Sequence, residues 1–324
     1  MRMTWLRHFS AAVTLGLCSC AAGSAREATP PKTDPGVHPP ATGGTDGQDV
    51  GRGAPWPGWM AVPDPQTRPD DIECAGRLAA PIWGFRREDG ERVVPVQVDK
   101  WAPVVDALPV ELPEELRSSV PSGAARRVVD VNDGWLIAID KGEFGAGLFW
   151  IDKLGTRARR IDTTLDERIR WISRVEFGVI GIAGLCHGEA CARHTMVYRV
   201  ERNEQGSWAL APHADLVGCP ATHVVDHGTD AVLIGTCGAL YRVTKAGAET
   251  VGQWSKLLVP RSFDASVTGD MHGDAYVSFG RLIARFSKKG KADWFAPTSC
   301  ASVHLHPGGE CSCVTAEGNG KPGP

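Results

Sequence analysis

The sequence predicts an all-β fold, built from a short unit that occurs several times along the chain. The first observation is a repeated phrase, whose copies are GLFWIDKLG at 147–155, MVYRVERNEQG at 196–206, GALYRVTKAG at 238–247 and LIARFSKKG at 282–290. The second is the spacing between matching residues of these copies, which is 43 or 92 positions. The third is the alternation of apolar and polar residues around them, rich in β-branched and aromatic types, which is typical of half-buried strands.

These repeats resemble the blades of β-propellers, which recur about every 40–50 residues and contain four short strands each. In the clearest unit the strand sequences are THVVD, AVLIGT, ALYRVTK and AETVGQW, and the polar turn HGTD separates the first two. Complete blades are predicted at residues 126–161, 170–210, 216–254 and 261–296. Trp208, Trp254 and Trp294 lie near the fourth strand of three blades, and we expect them to pack between neighbouring blades.

Two fragments at the ends of the predicted domain, residues 79–98 and 301–316, have too few strands for a complete blade. The first fragment is predicted to supply outer strands and the second an inner hairpin. Propellers commonly combine such fragments in one composite blade, which closes the ring and leaves no sheet edge exposed. The sequence therefore predicts five blades, or six if residues 101–125 contain further strands. Within this connection, residues 110–120 are expected to form a short helical excursion.

The chain begins with the features of an export signal. Within residues 1–19, two arginines precede the apolar run FSAAVTLGL, which is too short to span a bilayer. Residues 20–58 are rich in Pro, Gly, Thr and Ala and are predicted to form a flexible tether. The propeller domain is placed at 59–317 and a flexible tail at 318–324.

The segment Leu17-Cys18-Ser19-Cys20 resembles the lipobox of bacterial lipoproteins. This resemblance implies that the thiol of Cys20 receives a diacylglycerol and that the lipid anchors the exported chain in a membrane. The same resemblance, with Ala21 and not an aspartate after the cysteine, implies the outer membrane, facing the periplasm or the cell surface. A Cys-x-Cys redox or metal pair is the alternative interpretation.

Composition excludes some classes of partner. The formal net charge is −3, and the sequence lacks the clustered basic face that nucleic-acid-binding proteins use. No run of 18 apolar residues follows the signal, so no second membrane segment is predicted. We expect a monomer without a cofactor, in contact with a membrane through its N-terminal lipid and with an envelope protein or a small ligand through its folded domain.

Eight cysteines remain beyond the lipobox, an even number that predicts disulfides in an exported chain. Cys219 and Cys237 lie symmetrically about the predicted turn HGTD, so we expect them to pair across a hairpin. Cys186 and Cys191 flank a loop between two strands, and they could close its base.

The other four cysteines belong to the two terminal fragments. Cys311 and Cys313 differ by two positions, so they should point to one face of a strand, and Cys300 lies in the same hairpin. One of these three is predicted to pair with Cys74, and the remaining two with each other. The favoured arrangement is Cys74–Cys311 with Cys300–Cys313.

Two groups of residues have a metal-like composition, and no metal site is predicted at either. CHGEACARH at 186–194 contains two cysteines and two histidines, a mixture that zinc sites use. Oxidation in an exported chain would consume both thiols. His304 and His306 would share one face of a strand, and we interpret them as ordinary surface histidines.

No catalytic signature occurs in the sequence, and no catalytic residue is assigned. Gly-x-Ser-x-Gly, Ser-x-x-Lys and phosphate-loop patterns are missing. The single carboxylates near predicted turns are expected to bond to turn amides; they are Asp140, Glu143, Asp226, Asp270 and Asp274.

Unequal loops indicate where a ligand would bind. In propellers, the loops between second and third strands and between successive blades gather at one end of the central channel. The longest insertions assigned to that end are 101–125, 140–147, 184–195 and 211–221. The candidate contact residues within them are Phe144, His187, Glu189, Arg193 and His194.

Two functions are compatible with these features. The leading hypothesis is a lipid-anchored propeller that binds or scaffolds a protein or a small ligand at the cell envelope. The alternative is a propeller-type hydrolase or lyase with its site at the mouth of the channel. We expect binding over catalysis, because the sequence offers candidate binding loops and no nucleophile motif.

Overall fold

The computed structural model describes most of the chain between residues 54 and 315. The described residues are 54–68, 70, 74, 82–89, 92–98, 104–117, 124–140, 146–162, 168–184, 186–187, 190–191, 194–218, 223–227, 230–254 and 266–315. All the described residues belong to one compact unit, Val50–Pro324. The predicted signal and Cys20 lie outside them. No helix of the described part is long and apolar enough to cross a membrane.

Strands form before the first predicted blade begins. The N-terminal elements are β1 (Trp59–Val62), β2 (Ile82–Glu88), β3 (Arg92–Val98) and the one-turn helix α1 (Glu114–Arg117). β2 and β3 pair as an antiparallel hairpin. Helix α1 lies where the sequence predicted a short helical excursion.

Four sheets of antiparallel strands follow, one for each predicted blade. The first contains β4 (Ala125–Val131), β5 (Gly134–Asp140), β6 (Ala146–Asp152) and β7 (Ala158–Arg160). The second contains β8 (Ile169–Val175), β9 (Gly178–Ala183), β12 (His194–Arg202) and β13 (Trp208–Val217), with a small hairpin of β10 (Cys186–His187) and β11 (Ala190–Cys191) between β9 and β12. The third contains β14 (His223–His227), β15 (Ala231–Gly235), β16 (Ala239–Thr244) and β17 (Gly247–Gln253). The fourth contains β18 (Val267–Gly269), β19 (Ala275–Phe279), β20 (Leu282–Phe286) and β21 (Ala292–Pro297).

The four sheets pack face to face in chain order, which is a propeller-like arrangement. Their first strands contact one another in succession, β4 with β8, β8 with β14 and β14 with β18. An apolar cluster fills each of the three interfaces between neighbouring sheets. The second strands of the two middle sheets, β9 and β15, are therefore covered on both faces. Leu136 and Ile137, which point to opposite sides of β5 in the first sheet, are also both fully buried.

Aromatic residues and one glycine set the spacing between sheets. Trp254 and Trp294 belong to the cluster between the third and fourth sheets, and Trp208 packs against the cluster between the first and second. The sequence predicted this role for all three. A Cβ atom on Gly252 of β17 would lie 2.3 Å from the ring of Phe286 in the fourth sheet, so only glycine permits this approach.

Residues 104–117 cover the face of the first sheet that points away from the second sheet. Leu112 and Leu116 are buried there against β5 and β6. At the start of the segment, Val105 forms a parallel bridge with Arg126 on the free edge of β4. The sequence placed this connection among the loops at one end; its described part starts beside Arg126 at the beginning of β4 and then runs over the sheet face. Its apolar residues remove this face of the first sheet from water.

The N-terminal residues complete the outer side of the fourth sheet. β1 pairs with β21 as a fifth strand, which the sequence did not predict. Trp56, assigned from the sequence to the tether, is only 4% exposed. Its indole Nε1 donates a hydrogen bond of 2.6 Å to the carbonyl of Val93 in β3, and its ring contacts Phe295 and Tyr276.

The C-terminal hairpin consists of β22 (Ser302–Leu305) and β23 (Cys311–Val314). Disulfides join Cys74 to Cys311 and Cys300 to Cys313, which is the arrangement favoured from the sequence. Within the described residues, no strand pairing connects this hairpin with β2–β3. The covalent Cys74–Cys311 bond and a small apolar cluster around Cys74 and Val303 hold it in place.

The repeated phrase forms the third strand of each sheet and the turn that follows it. In every copy, the side-chain oxygen of one polar residue at the start of this turn accepts a hydrogen bond from a backbone N–H two or four residues later. These residues are Asp152, Asn203, Thr244 and Ser287. The phrase is therefore a structural unit that ends a strand and starts a tight turn.

Candidate functional site

The connections between strands lie at two opposite ends of the stacked sheets. We call the end with the connections between second and third strands and between successive sheets the loop end; its described residues include 184, 218, 236–238, 280–281 and 298–301. The opposite end, the turn end, includes 132–133, 153–157, 203–207, 270–274 and 287–291. Strand order assigns every connection to one of these ends.

At the turn end, Asp270 and Asp274 bond within the protein. Asp270 accepts backbone hydrogen bonds from His272 and Asp274 and a 3.0 Å bond from the Tyr276 hydroxyl. Asp274 forms an ion pair with Arg285 across β19 and β20. The prediction that Asp270 bonds to turn amides is confirmed, and Asp274 accepts a 3.2 Å hydrogen bond from the backbone N–H of Lys288 in the turn 287–291.

The surroundings shift the pKa values of several of these groups. Burial and the carboxylate of Asp270 raise the pKa of Tyr276. Burial raises the pKa of the Asp152 carboxyl, but hydrogen bonds from Thr156 and Arg157 outweigh it and lower that pKa to about 2. The ionised form of Asp152 is thus the one that the turn stabilises.

Basic side chains also bridge neighbouring sheets near the turn end. In each case a side chain of one sheet or hairpin donates to a backbone carbonyl of a neighbouring sheet. The pairs are Arg174 with Asp130, His213 with Thr244, Arg242 with Gly273, and Arg87 of the β2–β3 hairpin with Gly269. These hydrogen bonds at the turn end therefore join neighbouring sheets to each other.

At the loop end, a group of charged residues lies between the first and second sheets. We call it the charged junction. Its charged members are Asp106, Arg127, Asp140 and Arg170, and it also includes the ring of Trp171. Arg170 reaches across from β8 to Asp140 at the end of β5, with 2.8 Å between Nη2 and Oδ2. The guanidinium of Arg127 in β4 lies 4.4 Å from the centre of the Trp171 ring.

Asp106 completes the charged junction from the inserted segment. Its Oδ2 accepts a 2.8 Å hydrogen bond from the backbone N–H of Val128 and lies 3.4 Å from Nε of Arg127. The four charged side chains stay partly exposed, between 18% and 31%. Guanidinium groups stacked on an aromatic ring and flanked by carboxylates can donate to a carboxylate or hydroxyl of a ligand while keeping their own counter-ions.

The sequence indicates where the arginines of the charged junction lie, but not that Asp106 and Asp140 contact them. β4 and β8 both carry arginines at their start, in ARRVVDV and IRWISRV. Adjacent first strands bring these starts together at one end of the sheets. Asp140 was interpreted as a turn residue, and its carboxylate forms an ion pair with Arg170. No pattern in the sequence indicates that Asp106, 20 residues before Arg126, returns to contact β4.

Two of the five candidate contact residues, His187 and His194, are among the described residues. Phe144, Glu189 and Arg193 lie outside the described residues, as do Glu143 and the partner cysteine Cys219. His187 lies in β10, where its backbone pairs with Ala190. His194 is exposed at the start of β12, and its Nδ1 is 3.0 Å from Oδ1 of Asp215 in β13.

The other two predicted disulfides are Cys186–Cys191 and Cys219–Cys237. Cys186 and Cys191 are directly opposite each other in the β10–β11 hairpin, a register that suits a bond closing the loop. Cys237 is buried, 8% exposed, just after the end of β15. Among the described residues, no group of three or more His, Cys, Asp or Glu side chains is placed to hold a metal ion.

Comparisons with known proteins found matches among solved structures only. No protein-family model and no curated protein matches the chain. One solved structure that matches is a gluconolactonase from Xanthomonas campestris, with TM-score 0.34, 13% identity, and coverage of 60% of this chain and 71% of that one. Another is the extracellular domain of a one-component system protein from B. thetaiotaomicron, with TM-score 0.34, 10% identity, and coverage of 74% and 38%. At these values neither match identifies a ligand or a reaction.

Proposed function

We propose that this chain is an exported, lipid-anchored protein of the bacterial cell envelope whose propeller-like domain binds a protein or a small ligand at its loop end. The observation that carries the binding role is the charged junction. Its arginines, carboxylates and tryptophan come from three separate segments and remain partly exposed at the loop end. At the turn end, Asp270 bonds to turn amides and Arg174 and Arg242 bond to carbonyls of neighbouring sheets.

Export is supported by the two disulfides of the terminal hairpins. Such bonds form and persist in oxidising compartments and are rare in reducing ones. The Cys74–Cys311 bond spans 237 positions, so it needs the two ends of the domain to be folded together before or while it forms. This property suits a protein that matures after crossing a membrane.

In this proposal the ring has five blades. The fifth is a composite of the β2–β3 and β22–β23 hairpins, which the Cys74–Cys311 bond links. The segment 104–117 covers the remaining face of the first sheet. The lipid on Cys20 anchors the chain to the outer membrane, and the residues before Trp56 separate the domain from the lipid.

The binding role is tested by site-specific photo-crosslinking in intact cells that express the full chain. A photoreactive residue replaces exposed His194 at the loop end or, as the matched control, exposed His272 at the turn end. We expect a discrete adduct at position 194 that is lost with Arg170→Gln, and no such adduct at position 272. Equal labelling at both ends, or labelling at the turn end alone, would contradict the proposal.

The anchor is tested separately by membrane fractionation. Cys20→Ala is expected to release the chain from the membrane fraction, whereas Cys18→Ala leaves it membrane-bound. Unchanged fractionation of the Cys20 variant would exclude this lipid site without affecting the crosslinking result.

A further inference from the structure

The outward face of the C-terminal hairpin brings together two histidines. His304 lies in β22, and His306 is the first residue after that strand. Both side chains are exposed, and their ring centres are 4.6 Å apart at an interplanar angle of 86°. This separation lets a small rotation of the side chains direct one nitrogen of each ring to a common point.

The opposite strand contributes oxygen atoms to the same face. Ser312 pairs with His304 in the register, and the Ser312 hydroxyl is 3.0 Å from Nε2 of His306. The backbone N–H of His306 bonds to the carbonyl of Glu310, which places the exposed Glu310 opposite His306 across the turn. Two imidazoles, a hydroxyl and a carboxylate are therefore neighbours on one surface.

The hydrogen bond between His306 and Ser312 is compatible with either neutral form of the imidazole, and one of the two suits metal binding. When Nε2 carries the proton it donates to the Ser312 oxygen, and the lone pair of Nδ1 is left free. Histidines that ligate metals commonly donate their second ring nitrogen to an oxygen in this way, which fixes the orientation of the ring. Ser312 would act here as a positioning residue and not as a ligand.

Neighbouring cysteines do not compete for a metal. All four cysteines of this region are oxidised in the Cys74–Cys311 and Cys300–Cys313 bonds, so no thiolate is offered by them. The same two bonds fix the hairpin on which the histidines stand. A ligand set of imidazole with oxygen suits Cu²⁺, Ni²⁺ and Zn²⁺, and Cu²⁺ binds such sites most tightly.

We propose that His304 and His306 form a two-histidine chelate for a divalent transition metal, with Cu²⁺ bound in preference to Zn²⁺. Because the described residues hold no preformed group of three metal-ligating side chains, water or Glu310 fills the other coordination positions. The site is open to solvent and lies on the covalently linked closing region. It is independent of the ligand proposed for the loop end.

The test titrates Cu²⁺ alone into the purified, disulfide-bonded full chain and follows binding by calorimetry and electron paramagnetic resonance. We expect one copper ion per chain at this site, with coupling to two imidazole nitrogens. His304→Ala and His306→Ala should each remove one nitrogen coupling and weaken binding by about tenfold or more, because a chelate loses its second, effectively intramolecular contact. Ser312→Ala should keep both couplings and lose affinity by less than about tenfold.

Two exposed histidines elsewhere provide matched controls. His272→Ala and His194→Ala are expected to leave the stoichiometry, the affinity and the two-nitrogen signal unchanged. Loss of the signal in the His194 variant, or equal binding by wild type and both hairpin variants, would overturn the proposal. An unchanged unfolding midpoint and unchanged disulfide map in each variant show that a lost signal reports metal binding and not misfolding.

Discussion

The four repeated sheets and the region that joins their ends are stabilised by different interactions. Neighbouring repeated sheets share wide apolar interfaces and side-chain hydrogen bonds to each other's backbone. The closing region instead combines two separate hairpins, an added edge strand, the segment 104–117 and two disulfides. A repeat needs only its neighbours, whereas the closing region must hold together parts that are far apart in sequence.

The largest expected effect follows from removing the bond that joins the chain ends. The chain-entropy model gives about 5 kcal/mol for the 237-position loop of Cys74–Cys311 and about 3 kcal/mol for the 13-position loop of Cys300–Cys313. The double variant Cys74→Ser, Cys311→Ser should therefore lose more stability in urea than the matched pair Cys300→Ser, Cys313→Ser. Hydrogen exchange should increase first in β2–β3 and β22–β23. Equal losses from both pairs would show that the long bond does not close the domain.

A second prediction concerns the interface between two repeated sheets. Trp254 is 6% exposed, packs 4.9 Å from the Phe279 ring and donates to the carbonyl of Cys237. Trp254→Ala should lower the free energy of unfolding by about 3–5 kcal/mol, since it leaves a cavity and an unpaired carbonyl. Leu154→Ala, at an 82% exposed position of a turn, is the control and should change it by less than about 0.5 kcal/mol. A small loss for Trp254→Ala would mean that the sheets can repack around the cavity.

The repeated sheets could be predicted from the sequence more completely than the closing region. The repeated sheets were predicted because each contains its own periodic strands and turn residues, so that local pattern and tertiary contact agree. A bond from Cys74 to the C-terminal hairpin was predicted because Cys74 opens the N-terminal fragment and three cysteines lie in that hairpin. β1, in contrast, has four residues and no repeat to match, and its role depends on the free edge of β21.

Site residues were harder to predict than the fold. Arg127 and Arg170 are visible in the sequence as arginines at the start of inner strands, but their partners Asp106 and Asp140 come from elsewhere. Asp106 reaches the charged junction only because 104–117 folds back over the first sheet. Loop residues such as Phe144 were chosen because their loops are long, and length alone does not specify a contact.

A third prediction tests whether 104–117 takes the place of a neighbouring sheet. Leu112 is 7% exposed and packs in a cluster with Ile137 and Phe149 of the first sheet. Leu112→Ala should lower the free energy of unfolding by about 2–3 kcal/mol, near the lower end for a buried leucine because one side of the segment faces solvent. A loss below about 0.5 kcal/mol, the range of surface substitutions, would show that the segment only rests on the sheet.

The smallest expected effect concerns a turn of the repeat and depends on pH. Hydrogen bonds from Thr156 and Arg157 lower the pKa of Asp152 from 3.8 to about 2, so folding favours the ionised carboxylate. Its contribution to stability is present above pH 3.8 and is lost as the pH falls through about 2. Asp152→Asn should therefore lower the thermal midpoint at neutral pH, and the difference from wild type should shrink as the pH falls through this window. Asp293→Asn, which changes an acid in β21 of the fourth sheet, serves as the control. A difference between wild type and the Asp152 variant that stays constant down to pH 2 would indicate that the side chain acts through its shape and not through its charge.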